Sequence, residues 1–308
     1  MTSRQKIIFH IGAHKTASSF LYRNLRASLD SLSHGGLDVV LRRDILNTVF
    51  ARELHEVAQG ARAGGDVSSG ARANIRRIIA RHNPDNNLLI ANEDMVCRLN
   101  VQDFYQNIDA SMRHIRRALD GHDVRIMLHI RCQADYLESV YMQYVHLGRS
   151  LRFDRFMERA GTVDFSWLRV VEGIAREVPP GRITVRPFES IRTLGSDGFF
   201  QEFLRLCEVS DPESFSTSED SSKGSAANRS YSGLGMKIAR RANPLLDKKE
   251  KRILRKFLQE NFSTATHPRA ELLDPGQRQE IFERYADSNR KLFAEYDLGA
   301  SGGDLGYY

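Results

Sequence analysis

The 308 residues carry 45 Lys and Arg against 39 Asp and Glu, a formal net charge of +6, with 41% of the chain hydrophobic. That composition excludes collagen-like, low-complexity and disulfide-framework chains, and it is long enough to bury one large core or two modest ones. A basic balance favours acidic partners such as nucleotides or anionic glycans, without calling for nucleic acid. Cys97, Cys132 and Cys207 are widely spaced and odd in number, which speaks for a reduced, cytoplasmic chain. No apolar run nears the roughly 20 residues of a membrane span, and no signal peptide precedes the first expected strand.

In chain order, Lys6 to Gly12 reads as a buried strand and Ser18 to about Asp30 as a helix, with Leu21, Leu25 and Leu29 on one face. Gly36 to Leu41 predicts a second strand, followed by a helix through Leu46, Val49, Phe50, Leu54 and Val57. The run from Ala63 to Ala71 reads as a flexible loop, and Ile75, Ile78 and Ile79 belong to a short helix. A turn at "PDNN" leads into "LLIANED", a strand ending in Glu93 and Asp94. Phe104, Ile108, Met112, Ile115 and Leu119 recur at helical spacing until Gly121.

Val124 to Arg131 and Arg182 to Glu189 predict two more strands. Between them, Leu137, Val140, Tyr141 and Tyr144 line a helix, and Trp167 packs in another with Leu168, Val171 and Ile174. Strands alternating with helices predict a parallel sheet covered on both faces. From about Ser214 the chain is polar, then mostly helical; residues 1–213 form the expected α/β core, with 214–308 packing on the same domain. Lys237 to Lys256 holds nine Lys or Arg against two acids around an apolar stripe of Ile253, Leu254, Phe257 and Leu258. That segment is a solvated face or a contact for an acidic substrate or membrane surface.

Two stretches carry chemistry. In "GAHKTASSF" a strand ends at Gly12 and a helix starts at Ser18, so the backbone amides of Lys15, Thr16, Ala17, Ser18 and Ser19 should face an anion at the positive helix end. Gly12, Ala13 and His14 shape the turn, Lys15 adds a cation, and Thr16, Ser18 and Ser19 add hydroxyls. An ATP-binding Walker loop requires Gly where His14 stands. The second stretch is "RCQADYLESVYMQY", where Arg131 closes a strand and Ser139 follows eight residues later. At the carboxyl rim of an open sheet, that pair suits a second phosphate.

The two motifs together resemble the sulfotransferase family. "HKTASSF" stands where its 5′-phosphosulfate loop lies, and Arg131 with Ser139 matches its 3′-phosphate motif. "RCQADYLESVYMQY" is similar to bacterial members that act on carbohydrates, as "ERYADSNRKLFAEY" is to their C-terminal helix. The resemblance implies a P-loop-like α/β fold with a five-stranded parallel sheet and a mostly helical C-terminal region. It also implies 3′-phosphoadenosine 5′-phosphosulfate (PAPS) as co-substrate and a glycan or other small acceptor; no metal is expected, since no carboxylate cluster lies near either motif. Lys15 would then neutralise the leaving phosphate. Glu93 is the candidate general base by analogy with glycan sulfotransferases, and His14 the second candidate; an acid at Glu93 can also cap a following helix. Lys223 and Asn228, with Arg229, could close over the 3′-phosphate. Ala17 departs from the family's usual Gly. A nucleoside-triphosphate kinase, using Asp94 for magnesium, and a non-catalytic nucleotide- or polyanion-binding protein are the alternatives.

Overall fold

A computed structural model describes residues 5–99, 101–217 and 230–308. Strands β1 (Lys6–His10), β2 (Leu37–Leu41), β3 (Asn87–Ala91), β4 (Asp123–Ile130) and β5 (Ile183–Pro187) form one parallel sheet in the order β2-β3-β1-β4-β5. The α/β class and five-stranded parallel sheet expected from the alternating pattern are therefore present. In register, Ile7 of β1 lies between Leu88 of β3 and Val124 of β4. From β1 the chain departs to the β3 side, and it later crosses to the β4 side. That reversal opens a crevice at the carboxyl end of β1, where open α/β sheets bind ligands.

Side chains alternate across the sheet as the two-residue strand period requires. Ile7, Phe9, Leu88, Ile90 and Leu128 join the larger core; Ile8, Leu89 and Met127 join the smaller core on the other face. The smaller core is closed by α1 (Ser18–Ala27) and α10 (Ile191–Leu206), through Leu21, Leu25, Phe199 and Phe203. His10 and His129 are buried there and meet Nε2 to Nδ1 at 3.1 Å. Burial lowers the pKa of both far below the ordinary imidazole range.

Two apolar assignments need correction. The first helix stops at Ala27 because Ser28 leaves helical geometry (φ −121°, ψ 16°), and α2 (Leu29–His34) starts anew; Leu29 is 40% exposed, off the apolar face. Leu46 lies between α3 (Arg42–Ile45) and α4 (Val49–Ala58) and is also 40% exposed. In both places the helical period was carried across a break. Phe104 is buried but precedes α6 (Ile108–Ala118), and α5 (Ser69–Ile79) begins inside the expected loop, capped by the Ser68 hydroxyl.

The remaining helices are α7 (Gln133–His146), α8 (Phe153–Ala160), α9 (Trp167–Ala175), α11 (Gly233–Ala242), α12 (Lys248–Asn261) and α13 (Pro275–Glu295). Both α11 and α13 pack on α7, and α13 also packs on α9. The stripe expected across Lys237–Lys256 is split: Leu258 is buried, while Ile253 and Phe257 are 62% and 50% exposed. Lys223, Asn228 and Arg229 lie outside the described residues. Among the described residues no helix is long and apolar enough to cross a membrane.

Candidate anion site at the end of β1

The loop after β1 keeps its pairing with β4 for two further bonds, Ile11 N–H to Met127 O (3.0 Å) and Ala13 N–H to His129 O (2.8 Å). At Gly12, φ is +29°, and a Cβ would sit 3.3 Å from the His10 ring and 3.4 Å from Ser18 Oγ. The positive φ favours glycine, and a Cβ would be tight against the His10 ring. The turn is fastened from inside: Thr16 Oγ1 donates to Ala13 O (2.6 Å), and the Tyr105 hydroxyl donates to Gly12 O (2.7 Å). The Thr16 hydroxyl hydrogen thus serves the loop. Lys15 and Ala17 both have left-handed backbone, at φ 69° and 64°. For Ala17 that conformation costs about 1 kcal/mol or more relative to glycine.

This strained path leaves the donors unpaired. No backbone N–H from His14 through Ser19 finds an acceptor among the described residues, and Ser18 Oγ is buried with no hydrogen-bond partner. Unpaired amides running from buried His14 to exposed Ser19, with the buried Ser18 hydroxyl at a helix N-terminus, make a cradle suited to an anion. A phosphate or phosphosulfate fits that donor set, since its oxygens are acceptors.

Charge converges on the cradle from β4 and α7. Arg131, one residue past β4, donates from Nη1 to Lys15 O (2.9 Å), and its guanidinium lies 5.0 Å from the Phe188 ring centroid. Lys15 Nζ donates to Gln143 Oε1 (3.2 Å). Burial, then the Arg131 charge, lowers the Lys15 pKa to about 8, with Glu93 acting in the opposite sense. His146 is held near 3, first by burial and then by Lys15. Ser139 is buried on α7; with Gln143 and His146 it forms an i, i+4, i+7 row, so it shares the face that meets Lys15.

On the β3 side, Glu93 stands two residues beyond the strand, and Oε2 is buried without a partner. The next helix is α6, beginning at Ile108, so Glu93 caps nothing. Its carboxylate faces the Tyr22 phenol, whose pKa burial, and then this charge, drive well above the usual value. Asp94 Oδ2 accepts from Arg42 Nε (2.6 Å), and its Oδ1 lies 3.6 Å from His14 Nε2. His14 itself is buried, with Nε2 3.0 Å from Cys97 O.

Some supporting residues were not legible as such. Trp167, read only as packing, donates its indole N–H to Arg131 O (2.7 Å). Glu189, which only closed a predicted strand, accepts from Cys132 N–H (3.0 Å) and the Tyr307 hydroxyl (2.8 Å). Burial raises its pKa despite those donors. Gln133 and Asn289 exchange two amide hydrogen bonds (3.0 and 3.1 Å), locking the C-terminal helix to the residue two beyond Arg131. These contacts fix the strand end from which Arg131 reaches the loop.

Neither the family models nor the curated proteins compared with the chain match it. Among solved structures, the crystal structure of a sulfotransferase from Alicyclobacillus acidocaldarius is similar to this chain, at 16% identity and a TM-score of 0.45, over 81% of this chain and 100% of that one.

Proposed function

We propose that the chain is a sulfotransferase that moves a sulfuryl group from PAPS to a hydroxyl or amine of an acceptor, with carbohydrate the preferred class. The observation that carries this reading is the run of orphan amides from His14 to Ser19, with the buried Ser18 hydroxyl, beside two cations on the same rim. The loop, with Gly12 and Ala13 shaping it, would take the 5′-phosphosulfate; Arg131 and Ser139 would take the 3′-phosphate. In the reaction the bond between sulfur and the bridging phosphate oxygen breaks as sulfur bonds to the acceptor atom. Lys15 stabilises negative charge on that oxygen, and Glu93 receives the acceptor's proton.

A thermal-shift comparison tests the donor. The bisphosphate product, 3′,5′-adenosine bisphosphate (PAP), should raise Tm without any divalent metal, and ATP with magnesium should do much less. A larger shift from magnesium ATP would favour the kinase alternative. Against that alternative stand His14 in place of Gly and the engagement of Asp94 by Arg42. PAP binding without sulfuryl transfer to any glycan would leave a non-catalytic nucleotide-binding protein.

A second partner is proposed for residues 237–256, an anionic membrane surface, supported by exposed Leu245 and Ile253, with exposed Phe257 just beyond, beside the nine cations. Sedimentation with phosphatidylserine vesicles but not phosphatidylcholine vesicles is the expected result; equal recovery with both would remove it.

A further inference from the structure

The carboxyl ends of β2 and β3 open on a cavity of about 540 Å³, within the range of small-molecule sites. Its walls come from two segments far apart in sequence, Arg42 to His55 and Asn92 to Arg98. Asn92 and Asp94 bracket Glu93 in the chain, and His14 of the loop reaches Asp94 at 3.6 Å. Glu93 is not in its lining and faces Tyr22, so the cavity meets the loop through His14 and Asp94. It does so from the β3 side, whereas Arg131 approaches from the β4 side, so the space is separate from the anion site assigned to the donor.

The charges around this cavity do not balance. Arg42, Arg52 and Arg98 line it, and Asp94 is its sole carboxylate. Asp94 is occupied by Arg42. Arg98 Nε donates to His55 Nε2 (2.8 Å), and burial followed by the Arg98 charge lowers the His55 pKa, so the imidazole serves as a neutral acceptor. Arg52 pairs with no carboxylate among the described residues. Two exposed guanidinium charges are left in excess around a cavity that reaches the loop at His14.

We infer that the acceptor is itself anionic, carrying a carboxylate or sulfate ester close to the hydroxyl or amine that receives the sulfuryl group, with Arg52 and Arg98 binding that substituent. The inference rests on the sulfotransferase reading for the word acceptor, but the anion site stands on the cavity alone. A planar guanidinium presents paired N–H groups that match the oxygens of a carboxylate or sulfate. Arg52 and Arg98 are solvent-exposed, so a neutral sugar would leave them hydrated and gain nothing from their charge, whereas an anionic one would be attracted. The preference so produced is attraction of the charged analogue, and it should weaken as salt is raised.

Equilibrium binding tests this without depending on turnover. Tetragalacturonate and maltotetraose would be titrated by calorimetry into the full chain, with and without PAP, alongside Arg52→Glu and Arg98→Glu. The uronate should bind at least tenfold more tightly than the neutral tetrasaccharide, and each charge reversal should remove that preference. The PAP-induced Tm shift should stay the same in both variants, which also verifies that they fold. Equal affinity for the two sugars overturns the inference, as does failure of both to bind. A preference that survives Arg52→Glu combined with Arg98→Glu overturns it too, because the polyanion would then be held elsewhere on a chain of net charge +6. If PAP binds but the charge preference is absent, this inference fails while the donor reading stands. If the reversals abolish uronate binding and PAP does not bind, the sulfotransferase reading fails while the anion site stands.

Discussion

Lys15→Ala is expected to reduce sulfuryl transfer by about 10²- to 10³-fold while changing PAP affinity by less than about tenfold, the pattern of a group whose interaction grows in the transition state. Lys15 sits at φ 69°, but alanine has the same Cβ, so the substitution adds no backbone strain of its own. What it removes is an ammonium held by Gln143 in a half-buried position, near Arg131 and Glu93. Loss of water and then crowding with Arg131 bring its pKa to about 8, and this adds a pH signature. A bound anion favours the charged lysine, so the complex retains a proton that the free chain sheds above about pH 8. PAP affinity should therefore decline as pH rises past that point in the wild type, and Lys15→Ala should lack the decline. Titrations at pH 7 and pH 9 with both proteins check the sign. Near-normal turnover in Lys15→Ala would undo the sulfotransferase reading.

Much of this arrangement could be read from the chain because its signals are local. A buried strand, a single glycine and a helix within Lys6–Ala27 specify an amide-lined loop wherever they occur. Arg131 is legible for the same reason, as a cation placed by a strand end. Readings failed where a period was extended through a break without glycine or proline to mark it, as at Ser28 before Leu29 and at Leu46. Illegible too were the bonds that hold the site from afar. Tyr105 reaches Gly12 across 93 residues, and Trp167 reaches Arg131 across 36. Nothing in the local pattern of either aromatic distinguishes such a bond from ordinary packing. The arginine-lined cavity belongs to the same category, since segments 42–55 and 92–98 meet only because β2 and β3 are neighbours in the sheet.

Glu93→Gln is expected to lower turnover by about 10²- to 10⁴-fold with PAP affinity unchanged, the range typical of a lost general base. Glutamine keeps the size and part of the hydrogen bonding of glutamate while abolishing its basicity, so packing is barely disturbed. The motive is positional and electrostatic together. Glu93 lies just beyond β3, its Oε2 is buried without a partner, and its charge is felt by both Lys15 and Tyr22. The Tyr22 phenol faces this carboxylate in the resting structure, and an acceptor hydroxyl or amine would have to compete with it as the donor. Helix capping does not compete for it, because the next helix starts at Ile108. Full activity in Glu93→Gln would instead promote His14, tested by His14→Asn. That second test is demanding, because His14 Nε2 is already engaged by Cys97 O and flanked by Asp94, and its loss could move the loop. The two are separated by measuring PAP affinity alongside turnover: a base lost from Glu93 leaves donor binding intact, whereas a displaced loop weakens donor binding and transfer together.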